Sequence, residues 1–146
     1  MMNTIPYWDE LPDLDLYLDQ ILLYVNQYTQ YSLDPKDKGL TASMINNYVK
    51  HKHIDKPIKK KYQKHQLARL IALNSLKHVF SIQEISHTLN LLSEKQDSKT
   101  LYNHFVDCMR NQENNETPEI IRCACQSLKL YYKTHQLTLD LEGERS

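Results

Sequence analysis

Ser43, Asn46, Asn47 and Lys50 sit in the stretch 40-LTASMINNYVK-50, and a run of lysines follows them. The chemistry available to these residue types is recognition of nucleic acid. An Asn amide pairs bidentately with adenine N6 and N7 in the major groove, which a helix can enter. Ammonium groups take phosphate oxygens, contacts that fix position without reading sequence. Lys50, Lys52, Lys56, Lys59, Lys60, Lys61 and Lys64 crowd together against a single acid, Asp55. Thr41 and Ser43 add hydroxyls at a helix start, where anions are favoured. Tyr62 either packs on the sugar-phosphate backbone or supports the basic arm. The candidate site is therefore Thr41, Ser43, Asn46, Asn47, Lys50 and Lys52, with Lys59, Lys60, Lys61 and Tyr62 from the arm.

The whole chain hides this asymmetry, because 18 basic and 18 acidic residues cancel over its 146 positions. Residues 1–34 hold six acids and no Lys or Arg, whereas residues 50–80 hold nine basic residues against Asp55. The local field, not the net charge, selects the partner. A lysine run is also ordinary solvated surface, so the order of the elements around it carries the weight.

Those elements read as helices. Leu14, Tyr17, Leu18, Ile21, Leu22, Val25 and Tyr28 recur at helical spacing over 14–31, with Asp13 as N-cap. DPKDKG (34–39) is a loop. Thr41 caps a short second helix with Met44, Ile45, Tyr48 and Val49 inward and Ser43, Asn46, Asn47 and Lys50 outward. Pro57 interrupts helix, so 58–62 reads as a small strand or hairpin arm. Leu67, Leu70, Ile71, Leu73 and Leu76 mark a third helix. Ser81 and Glu84 form a capping box for a fourth, with Ile82, Ile85, Leu89 and Leu92 buried. EKQDSK (94–99) is a loop before a fifth helix carrying Leu101, Phe105 and Cys108 inward. Pro118 at the favoured first position opens a sixth, and the tail TLDLEGERS is frayed or extended. Two glycines in the chain argue against a turn-rich β fold or a glycine phosphate loop.

With these residues placed, a resemblance is specific. Ile45-Asn46-Asn47-Tyr48, the Lys59–Tyr62 arm and the Ser81–Ile85 box resemble the DNA-binding domain of MerR-type regulators over residues 40–92. There, an Ile-Arg-Tyr-Tyr helix precedes a wing and a capped helix pair. LDLYLDQ (14–20), SMINNYVK (43–50) and KKKY (59–62) also resemble an uncharacterised domain-of-unknown-function family of Gram-positive bacteria. The resemblance implies a mainly α, MerR-like winged helix-turn-helix with a small β wing, additional C-terminal helices and a role in transcription regulation. Asn46 stands where the MerR motif has Arg, so that residue's phosphate contact does not carry over. The acidic helix 14–31 has to serve as the first helix of the pair.

Other chemistries find no support. His51 and His53 are flanked by lysines that repel a cation, and Cys108, Cys123 and Cys125 read as small hydrophobes rather than metal or redox groups. Cys123 and Cys125 fall on different helix faces. No nucleophile elbow or phosphate loop is present, so an enzyme is not expected. No apolar run approaches the roughly 18 residues of a membrane span. An acidic start without signal-peptide features predicts a cytoplasmic location.

The sequence thus predicts a bacterial DNA-binding regulator. Residues 1–95 form the binding domain and 96–146 a helical extension, together one compact unit. Its partners are double-stranded DNA, a second copy and an unidentified small-molecule effector, with no metal, cofactor or membrane. The alternative is a protein-interaction module whose basic surface meets an acidic partner and whose ten tyrosines form an interface.

Overall fold

In the computed structural model, residues 4–29 and 36–145 are described. Among them, a 3-10 turn (Trp8–Glu10) leads to β1 (Leu16–Tyr17), α1 (Leu18–Thr29), α2 (Ala42–Lys50) and β2 (Lys61–Tyr62). Four helices follow: α3 (Lys64–Leu76), α4 (Ile82–Ser93), α5 (Ser98–Met109) and α6 (Glu119–Glu144). The protein is mainly helical with one small antiparallel sheet, in which Leu16 faces Tyr62 and Tyr17 faces Lys61.

The core is built around α3, whose pattern is apolar on nearly every side. Ten of its thirteen residues are buried, as expected of a helix surrounded by others. It packs on α1, α4, α5 and α6. Leu67, Leu70, Ile71 and Leu73 join Ile21 and Val25 of α1, Ile45 of α2, Val106 of α5 and Leu128 of α6 in one cluster. Residues on both sides of position 95 thus share a core. The N-terminal segment is strapped onto α5 by Tyr102, whose hydroxyl donates to Pro6 O at 2.7 Å, and by Arg110, which donates to Ile5 O at 2.8 Å.

Three segments differ from the sequence reading. The first helix begins at Leu18, not residue 14, because Leu16 and Tyr17 pair with β2; residues 30 and 31 of that expected helix, like residues 34 and 35 of the expected loop, lie outside the described region. Leu14 and Tyr17, expected inside, are 79 % and 48 % exposed. Asp13, the expected cap, instead pairs with Lys64 at 2.9 Å.

Next, the 94–99 loop contains a cap: the Asp97 carboxylate accepts from Thr100 N at 2.8 Å and opens α5. The third difference is the tail. Residues 138–144 continue α6, so this helix runs 26 residues, about 39 Å at 1.5 Å each. Leu130, Leu137 and Leu141 keep helical spacing through it, and no proline intervenes. Pro118 occupies the N-cap rather than the first helical position. Of the cysteines, Cys125 is buried in the core and Cys108 packs half-buried against it, as small hydrophobes do, whereas Cys123 is exposed on a different face of α6.

Candidate nucleic-acid interface

The short helix α2 divides its residues as the spacing required. Ile45 and Tyr48 are buried and Met44 and Val49 half-buried, while Ser43, Asn46, Asn47 and Lys50 are exposed in one row. Burial without an added partner pushes the Tyr48 hydroxyl above its ordinary pKa. The Thr41 hydroxyl caps the helix, accepting from Met44 N at 3.2 Å.

What sets the helix against the rest of the fold is a clamp from α1. The Asn26 side chain bonds both backbone groups of Leu40, with Nδ2 donating to its O at 2.9 Å and Oδ1 accepting from its N at 2.8 Å. Gly39 passes beside this amide with φ +72°, and a Cβ there would stand 2.4 Å from Asn26 Oδ1. Only glycine fits both the dihedral and the space.

α2 ends in a left-handed turn at Lys52, φ 63°. His53 N donates to Tyr48 O at 2.8 Å and Lys52 N to Val49 O at 3.1 Å, the two bonds of a Schellman closure. The chain then runs along α3, held by its side chains. Arg69 Nε donates to His53 O at 2.6 Å, Gln66 Nε2 donates to Asp55 O at 2.7 Å, and Ile54 is buried between them in sequence. Residues 53–56 are therefore fixed backbone.

The arm that follows is a tight hairpin. Ile58 and Lys61 exchange both backbone hydrogen bonds, at 3.0 and 2.9 Å, around Lys59 and Lys60. These two central residues have φ 52° and 68°, the pattern of a type I′ turn, which usually takes Asn and Gly. Both lysine side chains are exposed at the tip. Lys61 is half-buried with its Nζ 5.1 Å from the centre of the Tyr17 ring.

Tyr62 requires a correction. It is 3 % exposed and paired with Leu16, so of its two expected roles it supports the arm and cannot lie on a phosphate. Lys64, counted with the basic run, is engaged with Asp13 and lies 5.7 Å from the centre of the Trp8 ring. Arg69 is turned inward. Lys50, Lys52, Lys56, Lys59 and Lys60 are exposed, and none of them forms an ion pair among the described residues. Lys56 thus joins the group. It lies within the basic wing expected at about 56–63, though outside the named site residues. Lys50 also has a purely structural use, since a cation complements the C-terminal end of a helix dipole.

A family model described as Domain of unknown function (DUF1836) matches residues 6–105, which include this whole surface and stop short of α6. No curated protein and no solved structure matches the chain.

Proposed function

The chain belongs to the DUF1836 family, and we propose that it is a double-stranded DNA-binding transcriptional regulator of winged helix-turn-helix, MerR-like type. α1 and α2 form the helix pair, α2 enters the major groove, and the 58–62 hairpin is the wing. One observation carries the reading. A helix row of Ser43, Asn46, Asn47 and Lys50 and four further exposed lysines, all without an ion pair among the described residues, occupy one stretch of chain with a braced backbone. The residues of the row supply base-edge donors and acceptors; Lys52, Lys56, Lys59 and Lys60 supply phosphate contacts. Thr41 positions the helix start.

The same reading includes a second copy. Leu130, Leu137 and Leu141 are 62 %, 52 % and 62 % exposed and follow a heptad seam along α6. Lys133 and Asp140 flank that seam, so an antiparallel second α6 sets each lysine against the partner's aspartate. A two-fold protein reads an inverted repeat.

The test is selection of random duplex DNA by the purified protein at two salt concentrations. Enrichment of an inverted repeat whose affinity falls steeply with salt is expected. Asn46→Ala or Asn47→Ala should relax preference at one position by about 1–3 kcal/mol. Absence of binding even at low salt would favour the interaction module, for which the exposed Leu14 and Leu23 are the supporting observation.

A further inference from the structure

α4 packs against α3 and α5 along one edge and leaves a groove of about 580 Å³ between α3, α4, α5 and α6. That volume lies in the range of small-molecule sites. Its middle is apolar, with Ala72 and Ala124 leaving room and Leu76, Leu89, Phe105 and Ile120 as walls. The basic groups gather at one end, where Lys52, His53, His65 and Arg69 line it together with Asp55 and Asn90.

Arg69 is the unusual member. Its guanidinium is half-buried, yet its acceptors are all neutral: His53 O at 2.6 Å, Ser86 Oγ at 3.0 Å and Asn90 Oδ1 at 3.0 Å. Among the described residues no carboxylate lies within ion-pair distance of it. Asp55, the nearest acid by sequence, sits 3.5 Å from His65 with its side chain 85 % exposed. A half-buried cation at the end of an apolar groove, bonded to neutral acceptors and balanced only at a distance by the exposed Asp55, matches a ligand with an apolar body and one anionic head. Arg presents a planar fork suited to a carboxylate.

We infer that this groove binds an amphiphilic carboxylate, with its hydrocarbon body between α4 and α6 and its head group on Arg69. The site also touches the proposed DNA reader, because Arg69 Nε holds the carbonyl of His53, the residue that closes α2. A carboxylate drawing on the same guanidinium competes with that bond and loosens the end of α2. This regulatory step rests on the DNA-binding reading; ligand binding itself does not.

Calorimetry of the full chain with dodecanoate and with dodecanol, both below micelle formation, tests the site without DNA. Dodecanoate is expected to bind at least tenfold tighter than the alcohol. Arg69→Gln should bring the two within about twofold of each other. Ala124→Phe, checked for folding by circular dichroism, should weaken both at least tenfold by filling the groove. Equal affinity of the two ligands for the unaltered chain, no binding, or a preference that survives Arg69→Gln would overturn the proposal. So would an Ala124→Phe chain that keeps dodecanoate but loses self-association, since the groove then belongs to a second copy. With selected DNA present, dodecanoate should change DNA affinity at least threefold, and DNA should change dodecanoate affinity by the same factor, as linkage demands. Ligand binding with no such change removes the regulatory step and leaves the site.

Discussion

The hairpin tip offers a perturbation that should move stability and binding in opposite directions. Lys59 and Lys60 hold φ 52° and 68° in a two-residue turn. An L-residue in the left-handed region carries about 1–2 kcal/mol of strain. Asn tolerates the region better and Gly freely, so Lys59→Asn with Lys60→Gly relieves roughly 2–3 kcal/mol of backbone strain. The greater freedom of Gly in the unfolded chain takes back about 0.5–1 kcal/mol. A net gain of about 1–2 kcal/mol remains, worth a rise in Tm of roughly 2–8 °C for a domain near this size. Among the described residues neither lysine makes an ion pair whose loss would offset it.

In binding, the double substitution removes two phosphate contacts. The slope of log affinity against log salt should flatten by about 1.8, at about 0.9 per contact. The assay is thermal unfolding followed by DNA titration between low and moderate salt. Lys59→Ala with Lys60→Ala is the control: it should lose the same slope without the gain in Tm, because Ala does not relieve the left-handed strain. A lower Tm for the Asn-Gly chain would refute the turn geometry. An unchanged salt slope would refute the wing assignment, whatever happens to stability.

The clamp at the start of α2 should be equally sensitive. Gly39→Ala forces a Cβ against Asn26 Oδ1 at φ +72°, and should destabilise by on the order of 2–4 kcal/mol from strain and lost clamp bonds, read as a lower urea midpoint. Two histidines give a pH signature: burial lowers the pKa of His53, aided by His51 and Arg69, and burial with Lys77 lowers that of His78. Both favour the neutral ring in the folded state, so their stabilisation is present above the unfolded value near 6.5 and is lost as pH falls below it toward the folded values. Urea midpoints should therefore drop from pH 7.5 to 5.5, and the drop should shrink in His53→Gln or His78→Gln. For the α6 dimer, Lys133→Asp and Asp140→Lys should each lower the mass seen by analytical ultracentrifugation and the double exchange restore it; a monomer at all concentrations would remove the second copy.

How much of this was legible follows from how local each signal is. α2 was readable because its cap, its inward pair Ile45 and Tyr48 and its outward row all lie within ten residues. The Ser81–Glu84 box was readable for the same reason, and forms with bonds of 3.1 and 3.2 Å. β1 was not, since two residues carry no periodicity and their partner, β2, lies some forty-five positions away. That distant pairing took residues 16 and 17 out of the helix expected over 14–31, although the spacing of Tyr17 suited it, and buried Tyr62. The Asn26 clamp escaped notice because an Asn on a helix gives no sign of the backbone it will meet. The groove and the lack of a carboxylate on Arg69 are properties of four packed helices, which no single segment announces.

The turn chemistry is the most informative failure. Lys-Lys is not a hairpin signal, and Asn-Gly would have been. The chain itself shows that the usual choice was available to it. α5 and α2 close with the same pair of Schellman bonds, from Gln112 N to Asp107 O and Asn111 N to Cys108 O in one case, and from His53 and Lys52 in the other. At the left-handed position α5 uses Asn111, a residue that tolerates φ 61°, whereas α2 uses Lys52 at φ 63°. Of the four non-glycine residues with positive φ among those described, three are Lys52, Lys59 and Lys60 of the basic segment. Stability alone favours Gly or Asn at each of them. Lysine stands at all three, exposed and without an ion pair among the described residues, which fits a use for the charge itself. Strain of this kind is tolerated where function needs the side chain. The strain therefore supports a charge-binding role for this segment independently of its resemblance to any family, and it does so for a protein partner as much as for DNA. The salt slope and the selected sequence separate those two.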